Sequence, residues 1–216
     1  MTSADSPRRH RNRDFLDAKL SRIDDPHVAP LNDFVRDIRS ETGGEVPWFD
    51  PAGGGVMARA LVLLEAPGAR STSATGPRKP AGGSGIISPD NDDQTAANSW
   101  QLYRDAGLLP SSVVIWNIVP WYIGSTSRIR AATRDDVTAA GPYLNRLLAL
   151  LPEMRVVLAM GDRAREGWLR YLLTSAGPLL PTLACPHPSP QVLNPHPEYR
   201  DLIRAALDRV AAVVAD

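Results

Sequence analysis

The sequence predicts an α/β fold, a three-layer α/β/α sandwich around a central, mostly parallel sheet of about four strands. Three observations predict it. Four short, mostly apolar runs, Ala60–Leu64, Val113–Trp116, Arg155–Met160 and Leu183–Cys185, have strand length and end at polar or turn residues, as buried parallel strands do. Helical stretches separate those runs, the signature of crossover units with helices on both faces of a sheet. A chain of 216 residues with 43% hydrophobic residues can also bury one sizeable core.

The elements follow in order. Residues 1–14 are polar and basic, with Arg8, Arg9, Arg11 and Arg13, and read as a disordered tail ahead of a single domain over 15–216. Leu31, Phe34, Val35 and Ile38 recur at helical spacing within Pro30–Thr42, and Gly43-Gly44 supplies the stop. Val46–Gly55 mixes large aromatics with turn formers before the first strand, Ala60–Leu64. Ser71–Ser84 is rich in Gly, Ser, Pro and Ala without periodicity and reads as a mobile loop. Thr95–Ala106 is a helix that Asp93 or Asp92 is placed to cap and that Gly107 ends. After the strand Val113–Trp116 come the helix Arg134–Leu151, closed by Pro152, and the strand Arg155–Met160, which turns through Gly161-Asp162 into the helix Arg163–Leu173. Leu183–Cys185 is the fourth strand and Glu198–Ala215 the closing helix.

Composition excludes several classes. The 24 Lys+Arg balance the 24 Asp+Glu, so there is no global positive field, although local clustering rather than net charge makes a nucleic-acid footprint. A single cysteine, Cys185, permits neither a disulfide framework nor a thiolate-held cluster within one chain. His10, His27 and His196 do not fall at ligand spacing with Cys185, and Asp90-Asn91-Asp92-Asp93 lacks the turn glycine and terminal glutamate of a calcium loop. No metal and no cofactor are expected. The N-terminus lacks an apolar signal core, and no run approaches the ~18 apolar residues of a membrane span, so the expectation is a cytoplasmic monomer.

Three polar signatures cap three of the strands: Glu65-Ala66-Pro67-Gly68 after the first, Asn117 after the second, and His187-Pro188-Ser189 after the fourth. In an open parallel sheet the loops at the carboxyl ends of strands converge on one crevice, so all three point at one pocket. Glu65 at the end of an apolar run is costly unless solvated or paired, which favours a place in a site.

This combination resembles the uracil-DNA glycosylase superfamily, from about Ala60 to the C-terminus, and within it the Glu-Ala-Pro-Gly branch. The resemblance implies the α/β/α fold and hydrolysis of the N-glycosidic bond of a deaminated base, uracil first, in DNA during base excision repair. It implies that His187 stabilises the departing base anion and that Asn117 reads the base edge, since an amide offers both a donor and an acceptor. Glu65 is the expected catalytic partner. Gly68 stands where the strictest uracil enzymes carry a thymine-excluding tyrosine, and Ile87 where the branch has a stacking ring; Trp121 and Tyr122 are alternative faces. Ser189, Arg128 and Arg130 are placed to meet DNA phosphates, and Leu193 stands where an intercalating leucine would be, or else plugs the final helix into the core.

The chain also departs from the pattern. The branch's four cluster cysteines reduce to one here, and Ala66 holds the position of the water-handling aspartate, leaving Glu65, Asp90, Asp92, Asp93 or backbone carbonyls for that task. Two alternatives to a glycosylase therefore stand: a non-catalytic DNA- or uracil-binding protein that keeps the pocket without water activation, and a hydrolase-like enzyme acting on a small nucleoside.

Overall fold

A computed structural model describes residues 6–72, 83–124, 130–175 and 177–215. Its centre is a four-stranded parallel sheet made of β2 (Ala60–Leu64), β4 (Val113–Asn117), β5 (Val156–Met160) and β6 (Thr182–Cys185), in the order β4-β2-β5-β6. The strands are apolar on both faces because both faces are covered. Leu61, Leu63, Val114, Trp116 and Val157 enter one core, while Ala60, Val62, Val113, Val156, Leu158 and Met160 enter the other. Residues one apart thus alternate between two cores, as the pleat requires.

Strand order explains which helix lies where. The first crossover runs from β2 through α3 (Gln94–Asp105) to β4; the next, through α4 (Arg134–Ala149), reverses past β2 to β5, and α5 (Asp162–Thr174) carries on in that direction to β6. Crossovers of one handedness that run in opposite directions put their helices on opposite faces. Leu144, Leu147, Trp168 and Tyr171 of α4 and α5 accordingly share a core with Phe34, Val35 and Ile38 of α2 (Ala29–Thr42). Leu102 of α3 shares the other with Ile203, Leu207 and Val210 of α7 (Tyr199–Ala215). The result is the expected three-layer α/β/α sandwich.

Element ends follow local chemistry. Asp93 accepts the Ala96 N–H at 2.8 Å and starts α3. Thr133 and Asp136 form a reciprocal capping box at the start of α4. Gly43, at φ 66°, ends α2 in the left-handed conformation that a residue with a Cβ resists.

Three features differ from the sequence reading. From Ser6 onward the N-terminal segment is not a free tail; residues 1–5 lie outside the described residues. Arg9–Arg11 forms one 3-10 turn, α1 spans Arg13–Leu20, and His10 and Lys19 are buried. The reason is charge pairing across distant sequence: Arg9 meets Asp90, Arg11 meets Asp92, and Lys19 meets both Asp50 and Asp90. The second difference is a small parallel pair, β1 (Trp48–Phe49) with β3 (Ile86–Ile87), anchored where the Phe49 N–H donates to Asn32 Oδ1 at 2.9 Å. Phe49 stacks on Trp116 with ring centroids 4.4 Å apart. The third is Leu193, in the short α6 (Pro190–Leu193). It is 2% exposed and fills the core beside α7, so the intercalating wedge is overturned and the plug is what the fold contains. Residues 73–82 of the expected mobile loop lie outside the described residues.

Candidate active site

A cavity of about 410 Å³ opens at the carboxyl edge of the sheet, within the range of small-ligand pockets. Strand parity decides what enters it. Leu64 and Ile115 pack towards the α3/α7 core, so Asn117, two residues beyond Ile115, faces the same way, and the register sets Leu64 opposite Asn117. Asn117 lines the cavity, is 2% exposed, and its amide nitrogen is buried without a hydrogen-bond partner among the described residues. An unpaired buried donor costs roughly 1–3 kcal/mol, so this amide is a group held ready for a partner.

His187 lines the same cavity. Its position is over-determined. Gly161, between β5 and α5, donates its N–H to the Cys185 carbonyl at 2.8 Å. Gly161 sits at φ 92°, a conformation that favours glycine, and a Cβ there would lie 3.0 Å from His187 Cβ, which would have to give by a few tenths of an ångström. Asn98 of α3 donates from Nδ2 to the Pro188 carbonyl at 2.8 Å, tying the far side of the loop. The Ser189 N–H donates to His187 Nδ1 at 3.2 Å, so Nδ1 is the acceptor and the neutral ring carries its proton on Nε2. Burial holds the His187 pKa down to about 4, and the ring is neutral at pH 7.

Gly68 and Ile87 also line the cavity, and a Cβ on Gly68 would meet nothing within 4 Å. Glu65 does not line it. One residue past Leu64, it turns to the opposite side, and its Oε1 accepts the Ala132 N–H at 2.6 Å just before α4. The carboxylate that does line the cavity is Asp93, whose Oδ1 caps α3. Asp90 and Asp92, the other acidic residues weighed nearby, do not line it and are paired, Asp90 with Arg9 and Lys19 and Asp92 with Arg8 and Arg11.

The remaining expectations divide. Ser189 sits at the start of α6 and acts on His187 through its backbone, but it does not line the cavity. Arg130 is engaged by both oxygens of Asp136, at 2.6 and 2.9 Å, which binds it to the α4 capping box. Arg128 lies outside the described residues. Trp121 packs edge-on against Tyr143, ring centroids 5.7 Å apart, and neither it nor Tyr122 is part of the cavity wall. Sequence reasoning missed Tyr103, Asn98 and Gly161. Tyr103 lies one turn beyond Ser99 on the cavity-facing side of α3, Asn98 holds the Pro188 carbonyl from a different side of that helix, and the sequence marks Gly161 only as a turn. Burial pushes the Tyr103 hydroxyl above its ordinary range and the Cys185 thiol up to about 12, so Cys185 offers no thiolate. Among the described residues no group of three or more His, Cys, Asp or Glu is arranged to hold a metal, and no helix is long and apolar enough to cross a membrane.

The cavity thus joins an unpaired amide, a neutral imidazole donor and one carboxylate at the edge of a parallel sheet. Among curated proteins none matches this chain. The family model of the uracil DNA glycosylase superfamily matches residues 92–211, a span that contains Asn117 and His187 and begins beyond Glu65–Gly68. That span is more than half of the 216 residues, and the chain belongs to the uracil DNA glycosylase superfamily.

Proposed function

We propose that this protein is a monofunctional DNA glycosylase that hydrolyses the N-glycosidic bond of a deaminated base, uracil first, in base excision repair. The observation that carries the reading is the pairing of the unpartnered Asn117 amide with the neutral His187 in one cavity. Membership in a superfamily that acts on DNA supports it.

The chemistry follows from charge. Breaking the bond leaves negative charge on the departing base and positive charge on the sugar. A neutral imidazole donating from Nε2 stabilises the base oxygen without first needing a proton from solvent, and its low pKa keeps it in that form. The Asn117 amide donates to one edge atom of the extruded base and accepts from the neighbouring N–H, which selects a uracil-like edge. Asp93 orients the attacking water; Glu65 is committed to Ala132 and contributes to the start of α4 instead. Gly68 leaves open space at that point of the wall, so a base larger than uracil is not shut out there. Ser189, at the start of α6, and Arg128 are the residues assigned to DNA phosphates in this reading.

A second reading has three observations in its favour. Ala66 precedes Pro67, Glu65 is turned away, and Asp93 also caps a helix, so a protein that binds the base without hydrolysis shares this geometry. Oligonucleotides carrying uracil, hypoxanthine or xanthine decide between them. A glycosylase leaves abasic sites, most readily from uracil; retardation of the same DNA without abasic sites refutes catalysis.

A further inference from the structure

The wall of the site cavity between β3 and α3 is thin. Ile87 and Pro89 line the site cavity on one side and, with Tyr103 and Ile115, a second cavity of about 100 Å³ on the other. A wall with open space on both sides is not located by close packing, which elsewhere in a protein interior fixes side chains to within a methyl group. Pairing with β1 holds Ile86 and Ile87, and the stretch that follows them, Ser88–Asn91, needs a further constraint.

The N-terminal segment supplies that constraint. Arg9 grips Asp90 with two parallel hydrogen bonds, Nε to Oδ1 at 2.7 Å and Nη2 to Oδ2 at 2.8 Å. Lys19 Nζ reaches the same carboxylate at 2.7 Å and Asp50 at 2.6 Å, joining the wall to the turn after β1. The His10 N–H donates to the Asp90 carbonyl at 3.0 Å, and His10 Nδ1 lies 2.8 Å from Asn91 Oδ1. Lys19 and Asp90 are both buried, and against the burial that would raise it, Arg9 and Lys19 hold the Asp90 carboxyl below its ordinary range. These contacts fall on Asp90 and Asn91, directly after the residues that face both cavities. Arg9, His10 and Lys19 do not line the site cavity; Asn91 does, and Arg9 and Asp90 line the second one.

We propose that Arg9, His10 and Lys19 are positioning residues that fix the partition Ile87–Asn91 and thereby set how large a base the site cavity accepts. With the strap in place the partition stands between the two cavities. With it loosened, Ile87 and Pro89 recede into the second cavity and the site widens, which favours a two-ring base over a one-ring base. The size-selection half of this proposal rests on the reading of the site as a base pocket, whereas the claim that the strap locates the partition does not.

The test uses the full-length protein with Arg9→Gln and Arg9→Lys, since the Arg9 side chain is 26% exposed and its replacement leaves both cores intact. Backbone hydrogen exchange over residues 84–93 is read first. Loss of the guanidinium in Arg9→Gln is expected to speed exchange there by roughly tenfold, with exchange in β2 and β5 unchanged, and Arg9→Lys is expected to restore most of the protection. Release of hypoxanthine and uracil from matched oligonucleotides is read second, and Arg9→Gln is expected to raise the hypoxanthine-to-uracil ratio by roughly fivefold. Unchanged exchange over 84–93 overturns the strap. Faster exchange with an unchanged ratio, or equal loss for both bases, overturns size selection. If wild type releases neither base, the glycosylase reading fails, and the strap is still decided by exchange alone.

Discussion

Leu64 and Asn117 face each other across β2 and β4, yet the polar residues at these two strand ends are used in opposite ways. Asn117 enters the cavity with its amide nitrogen unpaired, and across from it His187 is fixed by Gly161, Asn98 and the Ser189 N–H. Glu65, one position past Leu64, points to the other face and is consumed by the Ala132 N–H. Strand parity separates them: a polar residue in register with the cavity-facing positions reaches the cavity, and one a single step later does not. The amide and the imidazole of the site are therefore set beyond strand ends, while its carboxylate comes from the helix cap Asp93.

Substitutions at the two ends sharpen or break this contrast. The largest effect is expected at His187: His187→Ala lowers single-turnover release of uracil by roughly 10² to 10³-fold, the scale of losing one oriented donor, with DNA affinity nearly unchanged. Asp93→Asn comes next, at roughly 10²-fold. Asparagine caps helices about as well as aspartate, so the melting temperature of that variant stays close to wild type, and a loss of rate without a loss of stability assigns the carboxylate to water. Gly161→Ala is expected to cost roughly tenfold in rate by pushing the His187 loop away, together with about 1 kcal/mol of stability from the positive φ, measured by denaturant unfolding. Glu65→Gln is the smallest. Its carbonyl still accepts from Ala132, so release stays within about threefold and stability falls by less than about 1 kcal/mol. A loss of tenfold or more there would return Glu65 to the water side and break the comparison.

Most of the sheet was legible because buried parallel strands are written locally. Ala60–Leu64 is a continuous apolar run whose bounds match β2, and β4 exceeds its apolar run only by Asn117, which pairs with Leu64. The pair β1 and β3 was not legible, since two residues carry no period, and Trp48 and Ile86 are matched only through a contact far apart in sequence. The same reason hid α1 and the strap: Arg9, Arg11 and Lys19 look like solvated charges until Asp50, Asp90 and Asp92 are folded against them. In the site, Asn117, His187 and Gly68 meet at the cavity where the strand-end argument put them, and Ile87, which only the resemblance singled out, lines it too. Glu65 failed because the argument counted which residues end a strand and not which face they continue. Leu193 carried no local signal to separate a wedge from a plug; the packing of α7 over it decides.

The pH dependence of base release tests the central claim most directly, because it reports the state of His187 during the reaction. The folded pKa is depressed from 6.5 to about 4, so the neutral Nε2 donor persists as pH falls through the ordinary histidine range and is lost only near 4. Single-turnover release of uracil from an oligonucleotide, followed from about pH 8 down to about pH 5, should therefore show no inflection near 6.5. A rate that climbs or collapses as pH crosses 6.5, and keeps that profile in Asp93→Asn but loses it in His187→Ala, would mean that His187 titrates as an exposed ring and would contradict a neutral donor built into this cavity.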